Sequence, residues 1–107
     1  MLETDCKFTL GQLVHHERFG YRGVVIDMDP NFQGTDEWYD TMAKSLPPKD
    51  KPWYHVLVDI KDRDGAQTTY VSERNLGPDD SPKPIEHPLI RQFFTGFRDG
   101  GYVVQLS

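Results

Sequence analysis

Histidines and one cysteine are the side chains of this 107-residue chain that could bind a transition metal or act as a nucleophile. His15 and His16 are adjacent, so on a strand their side chains point to opposite faces and cannot bind one ion together by local geometry. A zinc site needs three or four ligands, and the sole cysteine, Cys6, lies apart in the sequence. We therefore expect no metal site, no cofactor and no reactive thiol.

Carboxylates are the second set of side chains with catalytic potential. Asp27 and Asp29 alternate on a candidate strand, but paired acids act in catalysis only when burial separates their pKa values. The stretch "DIKDRDG" resembles the start of a calcium loop, without the glutamate that the calcium-loop pattern requires at its twelfth position. The chain also lacks a Gly-x-Ser-x-Gly motif and a phosphate-binding glycine loop. The sequence therefore predicts a protein that is not an enzyme.

Aromatic residues around residues 31–54 are the strongest candidates for a binding function. Trp and Tyr are good anchors in protein interfaces, so a protein-binding face is one interpretation. A small core beneath a long loop is the other. The candidate protein-binding residues are Phe32, Trp38, Tyr39, Trp53 and Tyr54.

A modest basic patch is the alternative binding surface. Its candidate DNA-binding residues are His15, Arg18, Arg22 and Arg74. The net charge of −5 and the pI of about 5.2 weigh against tight binding to duplex DNA, which usually requires Lys and Arg against phosphate. Solvated surface charge is the simpler interpretation of these four residues.

Length and composition indicate one small soluble domain. Hydrophobic residues make up 36% of the chain and charged residues 27%, which is ordinary for a globular protein. No stretch is long and apolar enough to span a membrane, and the N-terminus lacks the pattern of a signal peptide. A single cysteine excludes an internal disulfide, so we expect a cytoplasmic protein.

Short strands joined by turn residues must position these side chains. "GQLVHH" and "RGVVIDM" predict two strands joined at Gly20, and "WYHVLVDI" alternates in a way that predicts a strand buried on both faces. Asp64-Gly65 predicts a hairpin to a return strand at residues 68–72. Between the second and third strands, residues 31–52 form a predicted insertion with a short helix capped by Thr35 or Asp36.

The C-terminal third changes pattern. Residues 77–84 resemble a linker, and five apolar residues then recur at helical spacing: Leu89, Ile90, Phe93, Phe94 and Phe97. This spacing predicts an amphipathic helix that ends at "DGG", followed by a short extended segment. The predicted fold is mainly β, a small SH3-like open β-barrel with a long insertion and a C-terminal helix. We divide the chain into a β-barrel domain at 1–77 and a linker, helix and tail at 78–107.

Four motifs in order give the chain a family resemblance. "FTLGQLVHHERFGYRGVVIDMDP", "EWY", "PWYHVLVD" and "TTYVSERNL" closely resemble the heat-shock protein Q family, also called the YccV-like or hemimethylated-DNA-binding domain, over roughly residues 7–77. The resemblance implies a β-barrel without catalytic residues, and trimeric assembly. It also implies two activities, modulation of Clp-type AAA+ proteolysis and binding of hemimethylated DNA that affects the expression or stability of a replication initiator.

The acidity of the chain decides the order of these two hypotheses. An acidic domain with aromatic anchors suits protein binding better than binding to duplex DNA. The first hypothesis is therefore an accessory factor of Clp-type proteolysis in stress response and protein quality control. Its partners would be protease components or their substrates, and hemimethylated DNA is the alternative partner. The sequence departs from the family after residue 77, where the tail is more aromatic than the resemblance leads us to expect.

Overall fold

A computed structural model describes residues 6–43 and 45–105 of the chain. Seven strands and few helical turns make up this part. The strands are β1 (Leu13–His16), β2 (Arg22–Asp29), β3 (Trp53–Val58), β4 (Thr68–Ser72), β5 (Leu76–Pro78), β6 (Phe94–Arg98) and β7 (Gly101–Val104). Helix α1 spans Asp36–Met42, α2 is a single turn at Ile90–Phe93, and a 3₁₀ turn at Glu73–Asn75 joins β4 to β5.

The strands form two antiparallel sheets. The larger sheet has five strands in the order β4-β3-β2-β1-β5, and β6 and β7 form a separate hairpin. In the described residues β4 and β5 do not pair, so the larger sheet is not a closed barrel. The prediction of a mainly β fold is confirmed, whereas the SH3-like assignment and the description of residues 31–52 as an insertion stay predictions.

Local turn chemistry explains the two hairpins of the larger sheet. Gly20 and Gly65 have φ of 78° and 77°, a region that is open to glycine and costly for other residues. The first lies between β1 and β2, and the second between β3 and β4, where the sequence predicts hairpins. Both predicted hairpins are confirmed by antiparallel pairing of the flanking strands.

Apolar side chains cover both faces of the five-stranded sheet. On one face, a cluster forms from Phe8, Val14, Val25, Tyr54, Val56, Val71 and Leu76. On the other face, Leu13, Val24 and Leu57 pack with Ile85 and Phe94. Neighbouring residues of β3 belong to different clusters because successive side chains of a strand point to opposite faces. The prediction that this strand is buried on both faces is confirmed.

The C-terminal helix prediction is wrong beyond one turn. Residues 94–98, which we assigned to that helix, form β6 and pair with β7 across a two-residue loop. The loop residues Asp99 and Gly100 both have positive φ, 56° and 79°, as a type I′ hairpin turn requires. The apolar periodicity remains useful, because it marks the residues that pack on the sheet: Leu89, Ile90, Phe93, Phe94 and Phe97.

This C-terminal hairpin is attached to the sheet by hydrogen bonds as well as by apolar contacts. The Tyr102 amide donates to the carbonyl of Gly11 at 2.8 Å. The segment that precedes α2 is attached as well, because Asp59, 1% exposed, accepts from the Glu86 amide at 3.2 Å. The boundary predicted at residue 77 falls within β5. Residues on both sides of it therefore contribute to one core.

Candidate functional site

Five aromatic rings form a cluster at the start of β3, which we call the aromatic cluster: Phe32, Trp38, Tyr39, Trp53 and Tyr70. The rings of Phe32 and Trp53 lie 4.9 Å apart in an edge-to-face arrangement, and those of Trp53 and Tyr70 lie 5.2 Å apart. Such spacings are typical of favourable aromatic pairs. The cluster joins the connection between β2 and β3 to the sheet.

Helix α1 positions two of these rings. Thr35 caps the helix, because its Oγ1 accepts from the Trp38 amide at 3.0 Å, which confirms the predicted capping. The loop that follows is held by side-chain donors: Tyr39 Oη donates to Pro47 O at 2.6 Å and Trp53 Nε1 to Pro48 O at 3.1 Å. The helix is therefore fixed over the start of β3.

Two of the predicted protein-binding residues lie in the interior. Trp53 is 1% exposed and Tyr54 is fully buried. Tyr54 lies outside the aromatic cluster, where its hydroxyl donates to Glu73 Oε2 at 2.6 Å and accepts from the Phe8 amide at 3.2 Å. Burial and, secondly, the Glu73 carboxylate raise the pKa of Tyr54. The surface open to a partner is therefore left to Phe32, Trp38 and Tyr39, which are half-buried.

The four predicted DNA-binding residues do not form one free basic patch. His15 Nε2 lies 3.2 Å from Glu17 Oε1, and the Arg74 guanidinium donates to the Ser45 carbonyl at 2.7 Å. Arg22 lies between Asp79 and the buried Asp59, at 2.6 Å and 3.7 Å.

Arg18 is exposed, and it shares a groove with Arg63, a basic residue that was not predicted from the sequence. Both line a groove that runs along β4.

This groove, which we call the β4 groove, has a volume of about 310 Å³. All five residues of β4 line it. One wall comes from α1 and the loop after it, with Trp38 and Met42, and the other comes from the turns that carry Phe19 and Arg63. Phe19 is 63% exposed and Met42 59%, so both walls present apolar side chains to solvent. None of the described residues lining the groove is acidic.

Histidine 16 supports the wall of the β4 groove that contains Phe19. Its Nδ1 accepts from the Arg18 and Phe19 amides, both at 3.1 Å, and its ring stacks on Phe19 at 4.5 Å. Burial, then Arg18 and Arg63, lowers the pKa of His16 below 6.5. The neutral imidazole is the form that accepts these two hydrogen bonds.

Four residues of this region were not predicted from the sequence: Phe19, Met42, Arg63 and Tyr70. Tyr70 Oη donates to Asp29 Oδ2 at 2.6 Å and accepts from the Gln33 amide at 3.1 Å, and burial followed by the Asp29 hydrogen bond raises its pKa. The predicted hairpin at Asp64-Gly65 could have indicated Tyr70, because pairing of its two strands brings Tyr70 opposite His55. Phe19, Met42 and Arg63 come from separate turns and helices, so no local pattern joins them.

Within residues 6–43 and 45–105, no three His, Cys, Asp or Glu side chains come together as a metal-binding group. No helix in the same residues has the length and hydropathy needed to cross a membrane.

A comparison with known protein families finds a match that covers most of the chain. The model of the family described as "Hemimethylated DNA-binding protein YccV like" matches residues 6–101. The match extends beyond the motifs recognised in residues 7–77 and includes β6 and the start of β7. The match thus covers the five-stranded sheet together with β6.

Proposed function

Because this chain belongs to the YccV-like family, we propose that it is a non-enzymatic binding protein that acts as an accessory factor in Clp-type AAA+ proteolysis. The observation that carries the protein-binding part of this proposal is the β4 groove. Its walls expose the apolar side chains of Phe19 and Met42. Exposed apolar surface next to polar groups is typical of protein interaction sites.

Charge supports a protein partner over a duplex. The chain has a net charge of −5, so its long-range field repels a polyanion. Of the four basic residues first assigned to DNA, Arg22 is already paired with two carboxylates. An adaptor would bring a substrate or a protease component to its partner through the β4 groove, while the aromatic cluster keeps the groove wall rigid.

The experiment is an affinity purification from a lysate of the source organism, analysed by mass spectrometry with and without DNase. Recovery of a Clp-type ATPase or its substrates regardless of DNase would support the proposal. The matched pair of variants is Phe19→Asp with Met42→Asp in the β4 groove, against Leu10→Asp with Ile60→Asp, which introduces the same two charges at exposed apolar residues outside the groove. If no protease component or substrate is recovered with any of the folded proteins, the adaptor proposal is refuted.

Hemimethylated DNA is the second candidate partner, favoured by the description of the family itself and by the two arginines of the β4 groove. Binding should weaken as salt rises, because each phosphate contact releases counterions. We would compare hemimethylated, unmethylated and fully methylated duplexes of one sequence in a mobility-shift assay. Equal affinity for all three, or affinity unchanged in the Arg18→Glu Arg63→Glu variant, would count against this candidate at this surface.

The proposal also includes a cytoplasmic location. It further includes a homo-oligomer, for which the family resemblance leads us to expect a trimer. Analytical ultracentrifugation across a concentration series tests the oligomer. Fractionation of the source cells tests the location.

A further inference from the structure

Strand β4 is an unpaired edge of the larger sheet in the described residues, because it pairs with β3 alone. The Val58 amide donates to the carbonyl of Gln67, and the Glu73 amide to that of Pro52, both at 3.0 Å. In an antiparallel ladder every second residue makes such bonds. Thr69 and Val71 therefore bond to β3, while Thr68 and Tyr70 direct their backbone amides and carbonyls away from it.

These outward groups belong to Thr68 and Tyr70, which both line the β4 groove. We propose that the β4 groove binds an extended segment of a partner protein, carrying acidic side chains among apolar ones, as an additional antiparallel or parallel strand on β4. This inference rests on the proposed function, because it specifies the chemistry of the protein partner. Addition of a strand to an exposed sheet edge is a general mode of peptide recognition.

The backbone chemistry of the edge favours a peptide as the occupant. The edge offers alternating donors and acceptors, and a second strand supplies both the carbonyls and the amides that these need. A phosphate backbone supplies acceptors only, so it would leave the outward carbonyls of Thr68 and Tyr70 without a donor. A nucleic acid therefore fits this edge less well than a peptide strand.

The side chains of the walls define which peptide fits. Arg18 and Arg63 are the charged residues among the described lining, and no acidic residue lines it. In a chain with a net charge of −5, this local excess of positive charge complements acidic side chains. Phe19 on one wall and Met42 on the other provide apolar contacts for the side chains between them.

The test uses a defined probe peptide of about seven residues, acetylated and amidated at its ends, in which Glu alternates with Val, because strands of this length are common. Hydrogen exchange resolved by residue is measured with and without it. We expect slower exchange at the outward amides of Thr68 and Tyr70, and little change at Thr69 and Val71, which already donate to β3. No binding up to about 1 mM peptide, or binding without protection of the outward amides, overturns the proposal.

Two modified peptides separate the contributions of backbone and charge. Methylation of alternate peptide nitrogens removes the donors, and should weaken binding by at least about tenfold if several hydrogen bonds are lost. Replacing Glu with Lys should weaken it by a similar factor, since attraction becomes repulsion at two partly exposed pairs. Equal affinity of the N-methylated peptide would refute strand addition.

Variants of the protein provide the matching tests. Thr68→Pro removes one outward amide without touching the ladder to β3, and Thr68→Val retains it. Arg18→Glu with Arg63→Glu reverses the groove charge, and Arg91→Glu with Arg98→Glu makes the same change in net charge elsewhere. We expect Thr68→Pro and the Arg18→Glu Arg63→Glu variant to bind the peptide more weakly than the wild type, and the two control variants to bind it as the wild type does. If Thr68→Pro does not fold, the N-methylated peptide tests the same hydrogen bonds.

Other occupants and the wider function give distinct results. Protection of Thr68 and Tyr70 that rises with protein concentration, without peptide, would indicate strand pairing between two copies and overturn the proposal. Protection by a single-stranded oligonucleotide that displaces the peptide would also overturn it. Peptide binding with the expected protection, but no Clp component in the affinity purification, would refute the proposed function alone. Recovery of that component unchanged by the groove variants would refute the groove as its binding site.

Discussion

Replacement of Arg22 with alanine separates a structural role from a role in binding DNA. The guanidinium donates from Nε to Asp79 Oδ2 at 2.6 Å and lies 3.7 Å from Asp59 Oδ2. It also donates to the carbonyl of Lys83. Because Asp59 accepts from the Glu86 amide, Arg22 belongs to the polar network that attaches residues 79–86 to the sheet.

The expected loss of stability follows from burial. The Asp59 side chain is 1% exposed, that of Asp79 13% and that of Arg22 19%. Removal of one partner from a buried ion pair costs about 3–5 kcal/mol, since a buried carboxylate loses its closest counter-charge. Partial exposure of the arginine places Arg22→Ala near the lower limit, about 3 kcal/mol. In a domain of this size that lowers Tm by roughly 12 °C or more.

The assay is thermal and urea unfolding followed by circular dichroism. Arg18→Ala is the matched control, since Arg18 is exposed and its loss should change stability by no more than about 0.5 kcal/mol. The double variant Arg22→Ala Asp79→Ala should lose less than the sum of the two single losses. A Tm for Arg22→Ala within about 2 °C of the wild type would refute the structural role. Reduced DNA affinity at unchanged stability would instead restore Arg22 as a DNA contact.

Three further predictions concern the groove wall and the attachment of the C-terminal hairpin. Trp53→Ala should cost about 3–5 kcal/mol in urea unfolding, because the side chain is buried, and Trp38→Ala clearly less; equal losses would contradict the assigned burial. The pKa of His16 is lower in the folded protein than the unfolded value of about 6.5, so the neutral ring stabilises the fold at neutral pH, and this contribution should be lost as pH falls below about 6.5 and through the folded pKa. Urea midpoints at pH 7.5 and 5 should therefore differ more in the wild type than in His16→Asn. An identical pH dependence of the two proteins would refute this. Gly11→Ala should cost more than about 1 kcal/mol of stability, since φ is +86° and an added Cβ would lie 2.2 Å from a β7 carbonyl oxygen. Gly20 has a similar φ but no atom within 4 Å of the added Cβ, so Gly20→Ala should lower Tm by less than Gly11→Ala does.

Burial shows why the candidate site was only partly predictable. The aromatic residues around α1 do cluster, but Trp53 and Tyr54 are the least exposed of those selected. An aromatic residue at the start of a strand has the same local pattern whether it faces solvent or the core. The position of the neighbouring chain decides between the two, and here the loop after α1 covers Trp53.

Local physics made much of the fold predictable from the sequence alone. Alternation in β3, the glycines at positions 20 and 65, and the Thr35 cap of α1 each depend on residues close in sequence. The helical spacing after Leu89 was misleading, because the same spacing arises when a single helical turn, α2, and the strand after it, β6, both pack on one sheet. Asp99-Gly100 was the local signal for that hairpin, and in the sequence it was equally compatible with the end of a helix.

Tertiary structure alone decided the pairing of Arg22 with Asp59 and Asp79, and the edge at β4. The arginine and Asp79 are 57 positions apart, so no spacing rule joins them. An unpaired edge is a property of strand order, since among the described residues β4 pairs with β3 alone while β5 pairs with β1 on the far side of the sheet. The sequence determined which segments become strands, whereas the order and packing of those strands determined which of their residues can meet a partner.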